Sequence, residues 1–276
     1  MVRCARETAE VSKCELVTID RPFSNFSFIH QRFPGLRLAA PLRRIFSQVR
    51  QHNGQTMVVE SLSVNGAEDL REENEDIRKL CPSFSSQDSQ AYRLSFFSGE
   101  LKTKEQLANI PDEQFLGYAI VKVDDVASNQ NITRVYESVL RSSSRQNNFI
   151  RGAQRWQCSA AGKTLHVSGY LYAQQNGLTN CCAHVALRTV AARFHRDGDM
   201  PYREMNKLVG IDHVRRKAGN GLTCLEMAGI LEQAGARCFG ANYGTLPPAG
   251  AVSPPFQKYL YGSVESGVSF RQACLT

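Results

Sequence analysis

Residues 174–187 read QQNGLTNCCAHVAL, and this stretch decides how the chain is interpreted. A polar turn leads into a run of helix-forming residues, so the pair Cys181–Cys182 stands at the start of a predicted helix. The helix dipole and the free backbone N–H groups of a helix start stabilise a thiolate, which is the nucleophilic form of cysteine. A glutamine amide six or seven residues earlier can reach back beside the sulfur and stabilise an oxyanion.

The pattern QxxxxxxCAHxAL resembles the glutamine and nucleophile signature of papain-like cysteine peptidases. Within that family it is closer to the branch that holds the bacteriocin-processing peptidase domains of ABC transporters. The resemblance covers residues 170–190 well and residues 91–266 loosely. It implies that Cys182 is the nucleophile, that Gln175 forms the oxyanion hole, and that neither a metal nor an organic cofactor is needed.

A shift of one residue gives Gln174 and Cys181 as the alternative pair for these two roles. Without the glutamine, two adjacent cysteines at a helix start are more often small buried apolar residues. A metal site made of Cys181, Cys182 and His184 is excluded by geometry, because one helix start cannot direct three such ligands at one tetrahedral centre.

The resemblance also implies a histidine that acts as general base, followed by an Asn or Asp that orients its ring. His184 lies two positions after Cys182 on the same helix and therefore points about 200° away from it. His195 lies about 20 Å along the helix axis. His213 precedes the predicted helix that starts near Thr223, whereas the histidine of the family follows that helix.

The last residues also differ from the pattern of the family. Residues 260–268, LYGSVESGV, resemble the helix end and glycine that lead into the histidine-bearing strand of the family. Residues 269–276, SFRQACLT, do not resemble that strand. We therefore expect a truncated or frame-altered version of a papain-like domain, without the histidine and its orienting residue.

Composition limits the environment and the partners of the chain. Its nine cysteines are irregularly spaced and contain no CxxC pair, which argues against a disulfide framework or a zinc site and favours the cytosol. No apolar run approaches the 18 residues of a membrane helix, so no membrane association is expected. The formal net charge is +7, but the longest basic run is residues 215–217, so nucleic acid is not an expected partner. A peptide or protein substrate is expected instead.

Patterning predicts an α+β chain in two parts. A serine-rich segment at residues 142–148 separates an N-terminal α/β accessory region, 1–150, from an incomplete papain-like domain, 151–276. The acidic run 68–76 is interpreted as a solvated helix face.

Residues 160–164, AAGKT, end like a phosphate-binding loop but are predicted to precede a strand, which excludes nucleotide binding there. The elements predicted are helices at 41–49, 68–81, 181–194 and 223–233, strands at 57–64, 92–97, 115–123 and 163–173, a possible strand at 236–243, and a loop at 244–256.

These observations lead to cysteine-dependent hydrolysis of a peptide or isopeptide bond as the expected function. Two alternatives stay open. One is a papain-like scaffold that lacks its base and binds a peptide or protein without catalysis. The other is acyl transfer on the same fold, for which the nucleophile is identical and only the exclusion of water differs.

Overall fold

The computed structural model describes residues 2–3, 11–19, 40–65, 67–82, 84, 89–126, 130–142, 154–179, 181–216 and 221–239. The strands are β1 (Val2–Arg3), β2 (Val11–Thr18), β3 (Thr56–Leu62), β4 (Ser89–Phe97), β5 (Phe115–Val126), β6 (Gln130–Arg141), β7 (Gln154–Ala160) and β8 (Lys163–Tyr172). The α-helices are α1 (Ala40–Gln51), α2 (Glu68–Leu80), α3 (Lys104–Ala108), α4 (Cys182–Ala191), α5 (Tyr202–Val209) and α6 (Cys224–Gln233). None of these helices has the length and apolar character that crossing a membrane requires.

All the strands form one sheet in the order β1-β7-β8-β6-β5-β4-β3-β2. Every neighbouring pair is antiparallel except β1 and β7, which run parallel. The mixed α and β composition predicted from the sequence is therefore confirmed, whereas the papain-like fold stays a prediction. Strands from both sides of residue 150 share this sheet, and the division into regions 1–150 and 151–276 also stays a prediction.

Successive side chains of a strand point to opposite faces of the sheet, and β3 presents apolar side chains on both. A helix covers each of these faces. Met57 and Val59 of β3 lie in the apolar cluster that contains the buried stripe of α1, whereas Val58 lies in the cluster that contains Leu70 of α2. The four apolar residues at helical spacing in α1 are all buried, which confirms the predicted helix at 41–49 and its inward face. These residues are Leu42, Ile45, Phe46 and Val49.

The sheet is curled, and a buried carboxylate of β3 links that strand to the turn between β7 and β8. Glu60 of β3 accepts a 2.9 Å hydrogen bond from the backbone N–H of Ala161, in the turn between β7 and β8. Its second oxygen accepts a 2.8 Å bond from Nε of Arg93. Ala161 has φ of 48° and Gly162 has φ of 82°, the left-handed pair that a tight hairpin turn requires. Residues 160–164 thus form a hairpin followed by a strand, as the sequence predicts.

The predicted solvated face of α2 is wrong for part of its length. Glu73, Asn74 and Asp76 are buried, because this helix lies over charged side chains of the sheet instead of facing water on that side. Leu70 and Ile77 are buried as predicted, but Leu80 of the same predicted stripe is 40% exposed.

The last three helices follow the sheet in the chain and share a small apolar core. Leu187 and Ala191 of α4 pack there with Met205 of α5 and with Ile230 and Ala234. Helix α6 begins with the predicted capping box, in which Thr223 and Glu226 bind each other's backbone N–H groups.

Some predicted segments are not strands or lie outside the described residues. Residues 236–239 do not form the predicted strand, and residues 240–243 lie outside the described ranges. The predicted loop at 244–256, residues 260–276 and most of the predicted linker at 142–148 also lie outside them.

Candidate functional site

The candidate site is the start of helix α4, which begins at Cys182. The N–H of Val185 donates a 2.9 Å hydrogen bond to the carbonyl oxygen of Cys181, so Cys181 is the residue that opens the helix. The two thiols have opposite environments. Cys182 is exposed, whereas Cys181 is only 1% exposed.

Cys181 belongs to a small apolar cluster and is chemically protected there. It packs with Ala173, Val185 and Tyr202. Burial raises the pKa of the Cys181 thiol, although hydrogen bonds from Thr179 and from the backbone of Asn176 oppose the shift. Of the two alternative nucleophiles, only Cys182 is therefore accessible to a substrate.

The two candidate glutamines are also placed differently. Gln174 extends the sheet, because its N–H donates to the carbonyl of Val135 at 3.0 Å and its Oε1 accepts from the N–H of Val135 at 3.0 Å. Its amide is therefore turned toward β6. Gln175 is exposed, and no hydrogen bond among the described residues joins its amide to Cys182.

Asn176 organises the turn that leads to the cysteines. This side chain is 3% exposed, and its Oδ1 accepts hydrogen bonds of 2.8 Å from the backbone N–H groups of Leu178 and Thr179. Its Nδ2 donates to Oε1 of Glu73 and to Oγ1 of Thr179, both at 3.0 Å. Because both donors are used, the Asn176 amide holds the turn and offers no free N–H to an oxyanion.

Glu73 connects this turn to a buried group of charges under α2. Lys122 donates to Glu73 at 3.0 Å and lies 2.9 Å from Asp124, while Arg134 pairs with both carboxylates. Burial alone would raise the pKa of Glu73, but Arg134, Lys122 and the Asn176 hydrogen bond lower it to about 2. The anchor of the turn is thus a carboxylate that stays ionised.

A second buried group of charges holds α4 against the sheet. Arg188, which is 1% exposed, donates from NH2 to Glu137 of β6 at 2.6 Å and from Nε to Asp199 at 2.6 Å. The guanidinium also lies 5.6 Å from the ring centroid of Tyr136. Helix α4 is therefore fixed to β6 about 1.7 turns beyond Cys182.

No histidine among the described residues is bonded to the Cys182 thiol. His184 and His213 are buried and both bind Asn206. His195 lies 3.6 Å from Glu204, and His166 binds Asp112 at 2.8 Å. The opposite directions predicted for Cys182 and His184 agree with the exposed thiol and the buried imidazole.

A cleft beside the buried side of α4 is lined by residues of α2, α4 and α5. Arg203 pairs there with Glu72 and Asp76 of α2. Arg188 and Glu73 also line the cleft, but their partners lie outside the lining. In the described part of the chain, no three His, Cys, Asp or Glu side chains gather as metal ligands would. The lining residues are Asp69, Glu72, Glu73, Asp76, Tyr136, Arg188, Pro201, Tyr202 and Arg203.

Sequence reasoning did not identify Asn176, Glu73 or Asn206 as site residues. Asn176 carries a local signal, since an Asn-Gly pair in a polar turn favours a side chain that binds the backbone two and three residues later. Glu73 and Asn206 carry none, because their partners lie in other elements.

Comparisons of the chain with family models, with curated proteins and with solved structures found no match.

Proposed function

We propose that the chain is a cysteine-dependent hydrolase of peptide or isopeptide bonds in which Cys182 is the nucleophile. One observation carries the proposal: of the two cysteines that could be the nucleophile of the QxxxxxxCAHxAL pattern, Cys182 has an exposed thiol at a helix start, whereas Cys181 is buried. In general, the first turn of a helix carries backbone N–H groups that have no partner within the helix and can bind a nearby anion.

In the proposed reaction the Cys182 thiolate attacks the carbonyl carbon, and the C–N bond breaks as the amine leaves with a proton. Water then hydrolyses the thioester, which releases the acid and restores the thiol. The Cys182 backbone N–H and the Gln175 amide would stabilise the oxyanion. Because the described histidines do not bind the thiol, the proposal assigns proton transfer to a histidine that is not identified in this chain.

The papain-like fold, a peptide or protein substrate and a cytosolic location belong to the same proposal. The family resemblance of residues 170–190 supports the first two. The third is supported by the described cysteines, since no disulfide joins any of the seven.

The chain contains its own control for the nucleophile. Cys224 is also exposed, also occupies the first residue of a ten-residue helix, and follows the N-cap Thr223. A helix start alone would therefore activate Cys182 and Cys224 alike. Cys238 is exposed beyond the end of α6. Partial desolvation and, to a smaller extent, the charge of Glu232 raise the pKa of its thiol.

Iodoacetamide labelling at pH 6, followed by peptide mass spectrometry, tests the proposal. We expect Cys182 to be alkylated about tenfold faster than Cys224, and Cys238 to be the slowest of the three. Equal rates for Cys182 and Cys224 would overturn the proposal, since they would leave only a generic helix start.

A non-catalytic binding module is the second candidate, and one observation favours it. His184 and His213 are both engaged by Asn206, and neither binds the Cys182 thiol.

A thiol-reactive acyl probe, used with and without an amine acceptor, separates hydrolysis, acyl transfer and binding without catalysis. Turnover to the free acid indicates hydrolysis, and an amide product indicates acyl transfer. Failure to acylate Cys182 while a peptide still binds indicates the module, with Cys182→Ala and Cys224→Ala as matched variants.

A further inference from the structure

A row of buried polar groups connects three helices on the inner side of α4. Nε2 of His184, on α4, lies 2.9 Å from Oδ1 of Asn206, on α5. Nδ2 of Asn206 lies 2.8 Å from Nδ1 of His213, and Nε2 of His213 lies 3.9 Å from Oδ2 of Asp76, on α2. All four residues are buried.

The hydrogen bonds fit two neutral imidazoles. His184 donates its Nε2–H to the amide oxygen of Asn206, and the amide nitrogen of Asn206 donates to the unprotonated Nδ1 of His213. Nδ1 of His184 is buried and has no acceptor among the described residues, so a proton added there would remain unpaired. A proton added to Nδ1 of His213 would face the N–H₂ group of Asn206.

One amide therefore cannot serve two imidazolium ions. It has one acceptor side and one donor side, whereas two protonated rings would both need an acceptor. The ring centroids of His184 and His213 are only 4.7 Å apart, so two positive charges would also repel each other.

The surrounding charged groups do not offset the cost of protonating the two imidazoles. Burial lowers the pKa of His184 to about 4, and the neighbouring His213 adds to that effect. Burial also lowers the pKa of His213, although the nearby carboxylates oppose it. The groups that face His184 are His213, Asn206, Tyr202, Arg216 and Glu226, and those that face His213 are His184, Asn206, Asp76, Asp212, Lys79 and Arg203.

We propose that His184, Asn206 and His213 form an acid-sensitive latch that holds α4 against α5 while both imidazoles are neutral and releases them when the imidazoles are protonated. This inference does not depend on the chemistry proposed for Cys182. It predicts a structural change at the start of α4, where Cys181 packs with Tyr202, the first residue of α5.

Cys181 is a built-in reporter of the latch. It is buried between the two helices, whereas Cys224 is exposed and provides the reference rate in the same molecule. The labelling reagent is a dipyridyl disulfide, which reacts with thiols at acidic pH. With an ordinary histidine pKa of about 6.5 in the open state and about 4 in the closed state, protonation of His184 alone should increase opening about 30-fold between pH 7.5 and pH 5.

Asn206→Asp tests the mechanism of the latch. A carboxylate accepts hydrogen bonds from both protonated rings, so the acid-induced rise in the Cys181-to-Cys224 labelling ratio should disappear. His195→Gln removes another imidazole of the same region, which lies 3.6 Å from Glu204, and should leave the rise unchanged.

His213→Gln provides a second variant that keeps the test decisive if Asn206→Asp does not fold. It removes one of the two titrating rings, so the rise should become smaller than that of the unmodified chain. A labelling ratio that stays constant from pH 7.5 to pH 5 would overturn the latch. A folded Asn206→Asp variant that shows the same rise as the unmodified chain would also overturn it.

Discussion

The amide nitrogen of Asn176 donates a 3.0 Å hydrogen bond to Oε1 of Glu73, which lies 103 positions earlier in the chain. Through this bond the turn before the cysteines is attached to the ionised group under α2, where Lys122 and Arg134 hold the same carboxylate. The direction of the first turn of α4, and hence of Cys182, depends on that attachment.

Replacing Asn176 by Asp should destabilise the protein by about 3 kcal/mol, because a second carboxylate would face the buried Glu73 and both Nδ2 donors would be lost. Urea denaturation at pH 7 measures the effect. Gln175→Ala is the matched control, because the neighbouring side chain is exposed and should change stability by less than about 0.5 kcal/mol.

Adding Glu73→Gln to Asn176→Asp should recover part of the lost stability. The pair keeps its total charge and reverses the direction of one hydrogen bond, since the new amide donates to the new carboxylate. A double variant that is as unstable as the sum of the two single variants would contradict the direct contact.

The Glu73 carboxylate should make stability fall in acid. Its pKa is lowered to about 2 from the usual 4.5, so its contribution is complete above pH 4.5 and is lost as the pH falls toward 2. The linked loss is about 3 kcal/mol. Glu73→Gln should be less stable at pH 7 by about 3–5 kcal/mol, and its deficit should shrink across this window in denaturation measurements.

Arg188→Met should destabilise the protein by about 3–5 kcal/mol, because Glu137 and Asp199 would lose their shared cation inside the protein. Arg188→Lys should recover only part of this loss, since an ammonium cannot make the planar two-sided contact. Thermal unfolding measures both. Arg196→Met, which changes an exposed residue after the same helix, should leave the midpoint nearly unchanged.

Ala161→Gly should stabilise the protein by about 0.5–1 kcal/mol. Ala161 has φ of 48°, a left-handed conformation that costs a residue with a Cβ about 1–2 kcal/mol, and this gain exceeds the added entropy of the unfolded chain. Ala228→Gly within α6 provides the opposite case and should cost about 1 kcal/mol. Equal effects of the two substitutions on urea denaturation would contradict the backbone argument.

Local patterns predicted many elements because their cause is local. The apolar spacing of α1 and the capping box of α6 each act within a few residues, and both are observed. Strands β6 and β7 were missed. In β6, the charged residues Arg134 and Glu137 are both buried, so the strand does not show the alternation of apolar and polar residues that a sequence pattern can detect.

The sequence by itself determined that a helix begins at the Cys181–Cys182 pair, because helix periodicity and turn residues act over a few positions. Only the tertiary structure decided that Cys181 is buried, that Glu73 anchors the Asn176 turn, and that Asn206 bridges two histidines. Those relationships join groups on different elements, and the sign of a burial or a charge effect depends on which partner the fold brings close.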